Sequence, residues 1–109
     1  MRSIPAIDAN DYVLEIELEG DGYFLHMSWN SEGEFWVLGV QDYARVTIIA
    51  GIRVVPNVPL LAMFHHLELP RGEIYAVLMD DTRQDFLRND FIDGSAEMVY
   101  LEEGEVVEV

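Results

Sequence analysis

Residues 12 to 29 read YVLEIELEGDGYFLHMSW, and this stretch decides the fold. Tyr12, Leu14, Ile16 and Leu18 fall on one side of an alternating run and Glu15, Glu17 and Glu19 on the other, which is the pattern of a half-buried strand. Glu19-Gly20-Asp21-Gly22 supplies residues that tolerate positive φ, and Tyr23, Leu25, Met27 and Trp29 then resume the alternation. The two runs therefore predict a β-hairpin.

Working outward, Asn30 to Glu34 forms a second turn signal before Phe35 to Val40, where aromatic and β-branched residues dominate and Trp36 shares a face with Leu38. A meander of three antiparallel strands results. Val46 to Ile52 is apolar on both faces and predicts a strand buried on both sides. Pro56 and Pro59 interrupt the next segment, because proline lacks a ladder donor, and Pro59 opens a single short turn of helix ahead of Leu60, Leu61 and Phe64. Pro70-Arg71-Gly72 is another turn, Glu73 to Met79 a strongly apolar strand, Asp80 to Gly94 a polar loop, and Ala96, Met98 and Tyr100 mark a last strand. Such a series predicts an all-β domain, a small antiparallel β-barrel or sandwich with one short helical turn. Leu14, Ile16, Leu25, Met27, Trp36, Leu38, Ile48, Val77 and Met98 are expected in one core.

With 109 residues the chain suits a single β domain over 1–109, with 1–10 and 103–109 expected as flexible or partner-ordered termini. Its 50% apolar content separates it from acidic disordered chains. There is no cysteine, so thiol catalysis, thiolate metal sites and disulfides are excluded. No apolar run long enough for a membrane helix and no basic-then-apolar leader is present, so neither a membrane role nor export is expected. A net charge of −15 disfavours direct binding to nucleic acid or to an anionic membrane, and favours positively charged partners.

Candidate chemistry is thin. His65-His66 with Glu68 offers metal-ligand types, but adjacent residues on an extended backbone point to opposite faces. His26, between Leu25 and Met27, reads as a lone outward histidine. Asp93-Gly94 has the look of a calcium-loop turn, yet that alignment puts Phe91 third and Tyr100 twelfth, where oxygen ligands are required. The remaining aspartates of the 80–94 loop, Asp80, Asp81, Asp85 and Asp90, read as a solvated acidic face. Neither a phosphate-binding glycine loop nor a nucleophile elbow occurs, and the aromatic residues around Trp29 and Trp36 lack the basic neighbours of a base-stacking platform. No enzyme activity, cofactor or metal is expected.

The stretches SWNSEGEFWVLGV, TIIAGIRVVPNVPLL, RGEIYAVLMDD and AEMVYL, in that order, resemble the phage baseplate plug family of contractile tails. The resemblance is carried by Trp29, Asn30, Gly33, Trp36, Gly51, Leu60, Leu61, Gly72-Glu73 and Tyr100-Leu101, from about Tyr23 to Leu101. The loop from Asp81 to Asp93 departs from it, since the family usually carries proline and glycine there. The resemblance implies a non-enzymatic, oligomeric virion component in the tail baseplate, made in the host cytoplasm and touching tube, hub and spike proteins. Val54, Val55, Val58, Leu60, Leu61, Met63, Phe64 and His65 are the expected interface, because this proline-broken segment holds more apolar surface than a small core easily absorbs. The competing reading is an acidic DNA mimic or inhibitor, whose strand-borne carboxylates imitate phosphates in the basic groove of a nucleic-acid enzyme. A small hydrolase would need convergent polar groups that the sequence does not display.

Overall fold

Glu19 and Gly20 adopt φ of 52° and 89°, the pair of positive values that a two-residue type I′ turn requires. This turn joins β2 (Asp11–Leu18) to β3 (Asp21–Asn30) in the register Leu18 to Asp21, Ile16 to Tyr23 and Leu14 to Leu25. The hairpin predicted from the sequence is thus present with its faces as read. The computed structural model describes residues 2–64, 67, 69–80 and 82–102.

Around the hairpin are β1 (Arg2–Ile4), β4 (Phe35–Asp42), β5 (Thr47–Arg53), β6 (Glu73–Leu78) and β7 (Ala96–Leu101). A 3-10 turn covers Ala62–Phe64, and a short helix, α1, covers Asp90–Asp93. The strands form two antiparallel sheets, one in the order β2-β3-β4-β5 and the other β1-β7-β6. Of the two expected forms the sandwich is the one adopted, and the sheets do not close into a barrel. Leu18, Leu25, Leu38 and Val40 from the larger sheet meet Ile74 and Tyr100 from the smaller in one buried cluster.

Side chains make the turns. Asn30 Oδ1 accepts from the amides of Glu32 and Gly33 at 3.0 and 2.9 Å, and Asp42 Oδ1 accepts from Ala44 and Val46 at 2.9 and 3.0 Å. These Asx-type contacts explain why short polar residues stand at both strand ends.

Four expectations need correction. Residues 1–10 are not wholly loose, since Arg2–Ile4 pairs with β7 and Ile4 enters the core at 4% exposure. The strand read as buried on both sides is an edge strand, β5, in which Ala50 faces solvent, as Val46 does just before it, and Gly51, at φ 81°, accompanies a register shift against β4. Its double-faced apolarity reflects half-covered Ile48 and Ile49, not enclosure. Val77 lies on the outer face of β6, because Ile74, Ala76 and Leu78 point inward. Finally, α1 occupies part of the stretch read as loop, too short for helical period to show.

The sheets are clasped at one end. Tyr100, fully buried on β7, donates its hydroxyl to the Glu19 carboxylate in the hairpin turn, while the Gly72 amide donates to the Tyr100 oxygen at 2.8 Å and to Glu19 Oε2 at 3.0 Å. A Cβ at Gly72 would stand 2.1 Å from the Leu101 carbonyl oxygen and 2.6 Å from the Tyr100 oxygen, so only glycine fits. Burial first, and then the bond to Glu19, raise the phenol above its ordinary pKa of 10.0.

Gly72→Ala is expected to cost at least about 2 kcal/mol, since the obstructing atom is backbone. Tyr100→Phe is expected to cost about 1–3 kcal/mol, the usual loss for a buried hydrogen-bonding partner. Because folding raises the phenol pKa, the stability it supplies is complete below pH 10 and declines as pH rises above about 10, where the unfolded phenol ionises. Denaturant titrations should therefore show wild type losing stability more steeply above pH 10 than Tyr100→Phe, and parallel curves would contradict the clasp.

Candidate functional site

The segment expected as an interface divides sharply. Val54, Leu60 and Leu61 are core residues at 3%, 5% and 0% exposure, so they are not available to a partner in this fold. The cause lies in the route of the backbone, which runs beside β6: Asn57 N donates to Ala76 O at 2.8 Å, Leu60 N to Ile74 O at 3.0 Å, and Leu78 N to Asn57 Oδ1 at 3.3 Å. Covering the β6 edge turns these side chains inward. Val55 and Phe64 are half-buried against the core, while Val58 and Met63 are exposed, Met63 at 83%. His65, like His66, Glu68 and Asp81, lies outside the described residues.

Other apolar side chains face solvent in three places, one of them Ile7 and Val13 around the start of β2. Tyr43 and Val46 stand at the β4–β5 turn, and Met79, Leu87 and Ile92 beside, within and near the end of the 80–94 loop. A cleft of about 570 Å³ opens between the β3–β4 turn and this loop, lined by Trp29, Ser31, Glu34, Leu87, Arg88 and Asp93 among others.

Polar and apolar side chains share the walls of that cleft, and among the described residues they form no reactive constellation. Asp90, only 2% exposed, accepts from Arg83 Nη2 at 2.5 Å and from the Leu87 amide at 2.7 Å, which folds the loop over α1. Arg88 donates to Asn10 Oδ1 at 2.5 Å and to Asp8 Oδ1 at 3.2 Å, with its guanidinium 5.5 Å from the Trp36 ring centre. Asp93 accepts from the Ser95 amide at 2.8 Å and Asp80 from both the amide and hydroxyl of Thr82, contacts that lower both carboxyl pKa values. The acidic loop is therefore ordered by its own carboxylates. Among the described residues no three histidine, aspartate or glutamate side chains gather as metal ligands. His26 is not alone, since its Nε2 meets Asp11 Oδ1 at 2.5 Å across the hairpin.

Beneath the cleft Trp36 packs against Tyr12, Trp29 and Phe91, at centroid distances of 6.3, 5.4 and 6.4 Å. Of the aromatic residues that the sequence placed beside one another, Tyr23, Trp29 and Trp36 are core or cross-strand partners, whereas Phe24 and Phe35 lie on the outer face under the Arg45 and Arg53 guanidinium groups. The expectation that these rings lack basic neighbours is corrected: the chain brings arginines to them from distant positions. Among the described residues the outer sides of β2 and β5 carry no strand pairing.

Over residues 1–103 the chain matches the family described as cyanophage baseplate Pam3 plug gp18. The chain belongs to this baseplate plug family. No curated protein matches it significantly. The match reaches beyond the stretch from Tyr23 to Leu101 read from the sequence, taking in β1 and β2.

Sequence reading passed over Arg45 and Arg53, which bracket the exposed edge strand of this plug-family fold. The available signal was scarcity: two of only six basic residues flank one strand.

Asp90→Ala should release the loop without unfolding the sheets, because its partners are Arg83 and the Leu87 amide. Hydrogen exchange is expected to accelerate at the Leu87 and Ile92 amides while the β3–β4 amides keep their protection. Uniform acceleration throughout would show instead that Asp90 holds the core.

Proposed function

We propose that this chain is a non-enzymatic structural component of a contractile tail baseplate, plugging or bracing the junction of tail tube, hub and spike. The observation that carries the reading is the family match across residues 1–103. Physical features support it. The strand edges and the exposed apolar side chains Met63, Tyr43 and Leu87 suit a subunit that is covered in its assembly, and an acidic surface beside the channel repels passing DNA. In this reading the chain is made in the host cytoplasm, ends in the virion, works in several copies and takes tail proteins as partners.

The interface expected from the sequence narrows to the exposed part of its segment, Val58 and Met63 with half-buried Phe64. Leu61→Asp is a test of folding, since that side chain is wholly enclosed. Met63→Asp tests docking.

Immobilised full chain is expected to capture tube, hub or spike proteins, and Met63→Asp to weaken that capture about tenfold or more, equivalent to 1.4 kcal/mol, with an unchanged circular dichroism spectrum. No affinity for any tail protein, together with tight, salt-sensitive binding to a DNA-processing enzyme, would replace the plug reading with the mimic.

A further inference from the structure

The larger sheet ends at β2 on one side and β5 on the other, and among the described residues no strand pairs with the outer side of either. Trp29 N donates to Asn10 O, and Leu18 closes the hairpin opposite Asp21, so by alternation Asp11, Val13, Glu15 and Glu17 direct their main-chain groups away from β3. Arg2 takes the Glu17 carbonyl. On the opposite side Val54 N donates to Trp36 O at 2.9 Å, which turns the main-chain groups of Arg53 outward.

The two edges carry opposite charge on the same face. Asp11, Glu15 and Glu17 are exposed on the outer face of β2. At the other side the Arg53 guanidinium lies 4.5 Å from the centre of Phe35, and that of Arg45 lies 4.7 Å from the centre of Phe24, both rings on this outer face. Stacking holds the cations along one margin.

We propose that copies of the chain join head to tail, β2 of one against β5 of the next, in a continuous antiparallel sheet. Three observations carry this. An all-antiparallel sheet with an even number of strands has edges that run in opposite directions, so a copy rotated about an axis along the strands presents its β2 antiparallel to β5. The register then matches charges by row. Asp11, Ser28, Val37 and Arg53 lie in one row across the sheet, and Glu15, Phe24, Gln41 and Thr47 in another. Flush copies therefore set Asp11 beside the next copy's Arg53, and Glu15 beside the Thr47 end, where Arg45 sits. A two-fold dimer through either edge would instead oppose carboxylate to carboxylate or arginine to arginine, which favours the heterologous contact. The bulge at Gly51 confines pairing to the ends of β5, where the arginines are.

The contact is read from the edges alone and rests on the plug reading only for its place in a virion. Its test accordingly uses the isolated full chain, so that failure here leaves tail-protein capture untouched. At about 0.1 M salt, where the Debye length near 10 Å screens long-range repulsion but not adjacent pairs, light scattering across micromolar to millimolar concentration should show wild type assembling. Arg45→Asp with Arg53→Asp in one variant, and Asp11→Arg with Glu15→Arg in another, should each abolish assembly, and an equimolar mixture of the two should restore it. All four side chains are exposed, and aspartate tolerates the φ of 66° at position 45, so the folds should persist. Hydrogen exchange of concentrated wild type supplies a second readout, with slowed exchange at the Asp11 and Glu15 amides, which face the two ends of β5. A monomer throughout, assembly indifferent to these reversals, or unaltered edge exchange would overturn the proposal.

Discussion

Two sheets that share a core must be held at a fixed offset, and in this protein one buried hydroxyl sets it. Tyr100, at the end of β7, reaches the Glu19 carboxylate in the hairpin turn of the opposite sheet, and the Gly72 amide closes the triangle ahead of β6. Each corner depends on a local necessity. The turn needs positive φ at Glu19, the approach needs the missing side chain of Gly72, and the phenol needs a partner because it is fully enclosed. With that corner fixed, the inward faces of both sheets meet as one apolar layer.

The edges are treated unequally. The outer side of β6 is occupied by the proline-containing segment, with Asn57 and Glu73 side chains supplementing its main-chain bonds. Loop residues 82–94 are closed on themselves through Asp90 and tied to residues 8–10 through Arg88. Among the described residues the edges left without a strand neighbour are β2 and β5 of the larger sheet and the three-residue β1 of the smaller. A free-standing protein usually blunts such edges, and here a bulge and charges do so only in part. Partial protection suits a subunit that must stay soluble until its neighbours arrive, and a net charge of −15 works to the same end.

Much of this was legible in the sequence, for a specific reason. Period-two alternation from Tyr12 to Trp29 is a local signal, and the turn chemistry of Glu19-Gly20 is local too, so the hairpin and its faces follow directly. Position within a sheet is not local. Nothing in Val46 to Ile52 distinguishes an interior strand from an edge half-covered by its neighbours, and nothing in Val54 to Leu61 tells an exposed apolar segment from one laid along β6. The direction of Val77 failed for a related reason: Ile74, Tyr75, Ala76, Val77 and Leu78 are apolar at every step, so alternation carries no phase. Arg45 and Arg53, eight residues apart by number, become one charged margin only through the turn and strand between them.

The proposed role leaves the edges of the larger sheet for contacts with neighbouring subunits. Cryo-electron microscopy of intact baseplates assembled with this chain tests that most directly. It predicts density for the two-sheet fold at the junction of tube, hub and spike, with the Glu19–Tyr100–Gly72 corner unchanged and β2 and β5 covered by neighbouring subunits. A baseplate that lacks the chain, or one in which both edges of the larger sheet remain bare, would contradict it.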